Sequence, residues 1–134
     1  MIVEKDETLA INSGDDVVRV RQVVRARAVE VGFSLVDQTK IITAASEIAR
    51  NTLDYGGGGT ARIELVRNGV RRGVRLIFVD HGPGIPDMGL AMTDGYTSGA
   101  GLGLGLTGAK RLCNEFDIVS KPGEGTTVTL ARWK

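Results

Sequence analysis

Apolar residues along the chain follow two different periods, and the switches between them mark the elements. Ile2, Leu9 and Ile11 are the apolar points of a first segment that reads as a strand over residues 2–11. Ser13 to Asp15 then offer N-cap side chains, and a helix is predicted over 15–31 with Gly32 as its stop. Valines and alanines fill most of that helix, and Arg19, Arg21, Arg25 and Arg27 supply its charge. A second helix is predicted from about Asp37 to Asp54. Ile41, Ala45, Ile48 and Thr52 form one stripe at helical spacing, widened by Ile42, Ala49 and Leu53, and the glycines at 56–59 end it.

The period then shortens. Partly alternating strands are predicted at 60–67 and 73–80, joined through Asn68-Gly69, a hairpin signal. Residues 81–101 read as a long connection rich in Gly and Pro, with one short helical turn at 86–92. A connection of that length within one domain marks a functional lid or a tether. A third helix is predicted over 104–115, entered through glycines, and strands at 116–121 and 125–133 close the pattern. The order implies a two-layer α/β (α+β) sandwich, with helices on one face of a mixed, mainly antiparallel sheet. At 134 residues this is a single domain.

Composition removes several classes. A net charge of +1 gives no basic excess for nucleic acid or an anionic membrane surface. No apolar stretch approaches the roughly 20 residues that span a bilayer. The segment MIVEKDETLAI lacks the basic-then-apolar layout of a signal peptide, so a cytoplasmic location is expected. Cys113 is the single cysteine, which excludes an internal disulfide and a cysteine zinc site. It sits among apolar positions and reads as a small core residue. The 19 glycines are the unusual count, and they cluster at 56–59, 82–84 and 99–108. Such clusters mark sharp turns or close approach to a ligand.

Three elements carry candidate chemistry. Glu47 and Asn51 lie four apart, so they project from one helix face at the edge of its apolar stripe. A carboxylate there suits a general base and an amide oxygen suits Mg2+, although two solvated polar residues would give the same spacing. Asp80 follows the apolar run LIFV and precedes Gly82, Gly84 and Ile85. A carboxylate fixed at a strand end can accept from the exocyclic amine of adenine, and the glycines let backbone approach a flat ring. A plain Asp-Gly-Pro turn is the competing reading. The run Gly101, Leu102, Gly103, Leu104, Gly105 leads into a helix, where backbone N–H groups suit phosphate. It is neither the dinucleotide fingerprint nor a Walker loop, since no Gly-Lys-Ser or Gly-Lys-Thr occurs. Together, in this order, the three elements point to ATP.

Glu47-x3-Asn51, Asp80-x-Gly82-x-Gly84 and Gly101-x-Gly103-x-Gly105 resemble the N, G1 and G2 boxes of the Bergerat-fold ATPases, the gyrase, Hsp90, histidine kinase and MutL type. Gly125-Thr126-Thr127 resembles the last box, whose threonine helps hold the adenine site. The stretch from Glu47 to Tyr55, the segment Asp80 to Pro86, and Lys110-Arg111-Leu112 with Glu115-Phe116 narrow the likeness to the anti-sigma-factor serine/threonine kinase branch. That resemblance covers nearly the whole chain. It implies that Asn51 holds Mg2+, Glu47 is the base on a substrate hydroxyl and Asp80 reads adenine. A lid at 87–100 is further expected to order with ATP, and Met88 and Met92 within it either pack over the nucleotide or bury the lid's own short helix. The implied substrate is a STAS-domain antagonist protein, with a PP2C-type phosphatase or a sigma factor as further partners.

Three alternatives stay open. A histidine kinase fragment shares the boxes, but the single histidine, His81, lies inside the Asp80 element and cannot be a phosphoacceptor. A hydrolase would use Glu47 on water. A binding module would hold nucleotide and act by docking. In the resembling kinases the first helix contributes to partner contact, which makes Arg21 a candidate partner-binding residue. Solvated helix charge is the simpler reading of the same residue.

Overall fold

The computed structural model describes residues 1–85 and 106–134. The described elements are β1 (Ile2–Ile11), α1 (Gly14–Val31), α2 (Leu35–Asp54), β2 (Gly59–Asn68), β3 (Arg71–Asp80), α3 (Leu106–Arg111), β4 (Glu115–Ser120) and β5 (Thr126–Trp133). Helical turn 86–92, Met88, Met92, the lid and the run Gly101 to Gly105 lie outside the described residues.

The five strands form one sheet in the order β1-β2-β3-β5-β4. Each of the four pairings among the described strands is antiparallel, so the expected mainly antiparallel sheet is wholly so here. The physical reason is the insertion of β5. β4 runs in the same direction as β3, but β5 lies between them and opposes both.

Local capping explains the helix ends. Ser13 Oγ accepts from Asp16 N–H at 3.3 Å, while Asp16 Oδ2 accepts from Asn12 N–H at 2.8 Å. This reciprocal pair starts α1. The Asn12 hydrogen bond is the main cause holding the Asp16 carboxyl below its ordinary value, and Arg19, 3.0 Å away, adds to it. Gly32, at φ 88°, ends α1 in the left-handed conformation, with its N–H directed to Ala28 O and Val29 O. Ser34 caps α2, its Oγ accepting from Asp37 N–H at 3.1 Å. The helix therefore starts at Leu35 rather than Asp37.

The hairpin also shifts by one residue. Asn68 pairs with Arg71, so the two loop residues are Gly69 and Val70, not Asn68 and Gly69. Gly69 has φ 64° and no non-glycine residue has positive φ among the described residues, as in a type II′ turn. α3 stops at Arg111, short of the expected 115, because Asn114 N–H already donates to Ala131 O of the sheet at 2.9 Å.

One sheet face and the helices enclose the core. Ala61, Ile63 and Leu65 of β2, Leu76 and Phe78 of β3, and Leu130 of β5 pack with Val20, Val24 and Ala28 of α1 and Ile41, Ala45 and Ile48 of α2. Burial of these side chains, each worth about 1.5–3 kcal/mol for the larger aliphatics, fixes the helices to this face. The opposite face carries charge instead. Glu64 there is bracketed by Arg62 Nε at 3.0 Å and by Arg75 Nε. The sandwich is two-layered, as expected.

Candidate nucleotide site

The site forms where the C-terminal half of α2 crosses the end of β3 and the start of β5. Asp80 is the last residue of β3 and stands in register with Gly59 on one side and Thr126 on the other. It is buried, at 8% exposure, and its Oδ1 accepts from Gly82 N–H at 2.9 Å. That bond fixes the carboxylate in a turn, which is the turn-forming reading of Asp80.

Gly56 makes room for Asp80. A Cβ on Gly56 would lie 2.6 Å from Asp80 Oδ2, and one on Gly82 would lie 2.7 Å from Gly56 Cα. The two glycines thus let the end of α2 touch the loop after β3. Gly84, at φ 75°, leaves no space for a side chain against Lys121 O. Tyr55 Oη donates to Gly84 O at 3.0 Å, and Gly123 N–H donates to Pro83 O at 2.7 Å. The segment Gly82 to Ile85 is held from both sides before any ligand arrives.

A cleft opens beside these groups. Its apolar walls are Ile48, Ile85, Leu106, Ile118 and Val128, and its polar lining is Asn51, Thr52, Tyr55, Asp80 and Thr126. Flat apolar walls with a carboxylate and a hydroxyl at one end suit a heteroaromatic base. The structure therefore brings together Asn51, Asp80, Ile85 and Thr126, with Gly82 and Gly84 shaping the loop behind Asp80. Glu47 is exposed on α2, one turn before Asn51, and does not line the cleft among the described residues. Arg21 is exposed on α1 beside Val18, Gln22 and Arg25, away from the cleft. Gly101, Leu102, Gly103, Leu104 and Gly105 lie outside the described residues.

Sequence reasoning missed Gly56, Tyr55, Thr52 and Ser120. Gly56 was legible as a helix stop only; its second task depends on Asp80, which is distant in sequence. Among the described residues, no three His, Cys, Asp or Glu side chains gather as a metal-ligating group. Asn51, whose amide offers a hard oxygen donor of the kind Mg2+ takes, lines the cleft.

Residues 36–134 match the family of histidine kinase-, DNA gyrase B- and HSP90-like ATPases. The chain belongs to that family. The shared region contains every residue that lines the cleft. Among curated relatives, the serine/threonine-protein kinase RsbT of Bacillus subtilis is 47% identical over 88% of this chain and 89% of its own. An anti-sigma F factor from Shouchella clausii is 30% identical, covering 81% of this chain and 77% of that protein. Another, from Anoxybacillus flavithermus, is 31% identical over 84% of this chain and 80% of its own. A solved structure of the RsbU and RsbW domains of a Mycobacterium tuberculosis protein superposes with a TM-score of 0.66 at 23% identity. It covers 96% of this chain, which spans only 31% of that one, and it supports the fold alone. No described helix is long and apolar enough to cross a membrane.

Proposed function

We propose that this ATPase-family chain is a serine/threonine protein kinase of a partner-switching pathway. It transfers the γ-phosphoryl group of ATP to a hydroxyl on a STAS-domain antagonist protein and so regulates a sigma-factor or stress-response output. The likeness to RsbT over nearly the full length of both chains supports the class of reaction. The observation that carries the choice of acceptor is the placement of Glu47. It is exposed one turn from Asn51, open to a group brought by another macromolecule. A base serving hydrolysis would instead face an enclosed water.

In this reading Asp80 and Thr126 take the base, and the amides of Gly101 to Gly105 take phosphate. Asn51 would hold Mg2+, which when bound neutralises charge on the phosphate oxygens. Glu47 accepts the proton as the substrate oxygen bonds to the γ-phosphorus and the bond to the bridging oxygen breaks, releasing ADP. Positioning supplies most of the rate in such a transfer. Arg21, with Arg25 beside it, is the proposed contact for the protein partner. A PP2C-type phosphatase is proposed to use the same kind of contact.

A second reading is favoured by the two anti-sigma F factor relatives. In it the chain holds nucleotide and acts by docking, with little turnover. Incubation with γ-labelled ATP and a STAS protein separates the two. Label on a STAS serine or threonine, lost in Asn51→Ala and Asp80→Asn, is the expected result. Phosphate released to water with no labelled protein would overturn kinase action in favour of hydrolysis. A tight complex with neither product would establish docking.

A further inference from the structure

Behind Thr126 a single hydroxyl joins three segments. Ser120, the last residue of β4, stands in register with Thr126 and does not itself line the cleft. Its Oγ accepts from Ile85 N–H at 2.7 Å, reaches Gly125 O at 3.1 Å as a donor, and lies 2.8 Å from Thr126 Oγ1. All three partners belong to the wall of the site or adjoin it.

A hydroxyl has one proton and two lone pairs. Ile85 takes one lone pair of Ser120, so the remaining choice concerns the proton. Directed at Gly125 O, it leaves Ser120 to accept from Thr126, whose lone pairs then face the cleft. Directed at Thr126 Oγ1, it frees the Thr126 proton to point into the cleft. Asp80, paired with Thr126 on the neighbouring strand, contributes a carboxylate acceptor in either case. The cleft therefore has two polar faces available: acceptor beside acceptor, or acceptor beside donor. The edge of adenine carries an amine donor next to the ring acceptor N1, which matches the second face only.

We infer that Ser120 is a positioning residue that sets the polarity of the Thr126 hydroxyl for base recognition. When adenine enters, Ser120 turns its proton from Gly125 O to Thr126, and Thr126 donates to N1 directly or through one bound water. The Ile85 N–H stays satisfied throughout, so the wall of the cleft does not move when the proton does. This inference rests on the reading of the cleft as an adenine site.

The test compares ATP with 1-deaza-ATP, in which a C–H replaces N1, by calorimetric titration of the full chain. A wild-type preference for ATP of about fivefold is expected from one net hydrogen bond. In Ser120→Ala that preference should fall to near unity, and Ser120→Thr, which keeps the hydroxyl, should restore it. A purely structural role for Ser120 would weaken both nucleotides equally, and an unchanged ratio in Ser120→Ala overturns the inference. A wild-type ratio near one, with ATP bound, overturns it as well. No binding of either nucleotide to wild type removes the adenine reading itself, and the inference with it. Where Ser120→Ala does not fold, Ser120→Cys, a weak donor of similar size, carries the same comparison.

Discussion

Arg132 Nη2 lies 2.6 Å from Asp37 Oδ1, which ties the last strand to the first turn of α2. The same guanidinium donates through Nη1 to Leu112 O at 2.9 Å, just beyond the end of α3. One side chain thus holds the two helices that flank the cleft to β5. Arg132→Met removes both bonds while keeping much of the aliphatic stem. Thermal unfolding should move down by roughly 3–6 °C, the scale of about 1 kcal/mol in a domain of this size. An unchanged midpoint would show that the tie contributes nothing net.

The same pair gives a pH dependence. The Arg132 hydrogen bond is the main cause holding the Asp37 carboxyl below 3.8, and the charge of Arg132 acts in the same direction. Asp16 is also lowered, chiefly by the Asn12 N–H. A carboxyl with a depressed folded pKa binds protons less readily folded than unfolded. Its contribution is present above the unfolded value and is lost as pH falls through the folded one. Urea midpoints should therefore fall as pH is lowered below about 4, and Asp37→Asn with Asp16→Asn should flatten that slope.

Gly56→Ala tests the close contact beneath Asp80. Its backbone is not in the left-handed region, so the cost is steric and falls on the Asp80 carboxylate. ATP affinity is expected to drop tenfold or more, about 1.4 kcal/mol. Asp80→Asn should give a comparable loss while retaining the bond from Gly82 N–H, because the amide keeps an acceptor oxygen. Retained affinity in both variants would remove Asp80 from the site.

Arg21→Ala separates partner from nucleotide. Arg21 lies on α1 in the groove with Val18, Gln22 and Arg25, away from the cleft. ATP affinity should be unchanged, and co-sedimentation or titration with a STAS partner should weaken about tenfold, within the range seen for exposed arginine anchors. Equal partner affinity would leave Arg21 as ordinary surface charge.

Cys113 should be inert in the folded chain. Burial pushes its thiol up from 9.0 to about 11, with the Arg132 charge opposing weakly. At pH 8 that leaves about a hundredfold less thiolate than an unperturbed thiol, and alkylation follows the thiolate. Iodoacetamide should label it slowly until urea unfolds the chain. Prompt labelling without denaturant would contradict the raised thiol in its partly buried position.

The legible part of this protein is the part written locally. Ser13 and Gly32 announced α1, and the stripe from Ile41 to Thr52 announced α2, because caps and periodicity act within a few residues. Asn51, Asp80 and Thr126 were legible as candidates through their box spacing, and the cleft gathers all three. Two local boundaries were misplaced, and whatever depends on a distant partner went unread. The start of α2 moved to Leu35 because Ser34 caps it, and the hairpin centred on Gly69-Val70 because pairing of Asn68 with Arg71 set the register. Strand order escaped too, since nothing near Thr126 states that β5 slots between β3 and β4. Gly56 and Ser120 likewise act on Asp80 and Thr126 across gaps that no spacing rule spans.

The insertion of β5 between β3 and β4 also sets a schedule for synthesis. A nascent chain that has emerged only through β4 already carries Asn51 and Asp80, yet has no Thr126 beside Asp80 and no strand to join β3 to β4. The proposed base-binding end of the cleft is completed only by β5, which follows β4 in the chain. On the proposed reading of the cleft, a chain made only through β4 is silent toward nucleotide, and binding competence arrives when β5 docks.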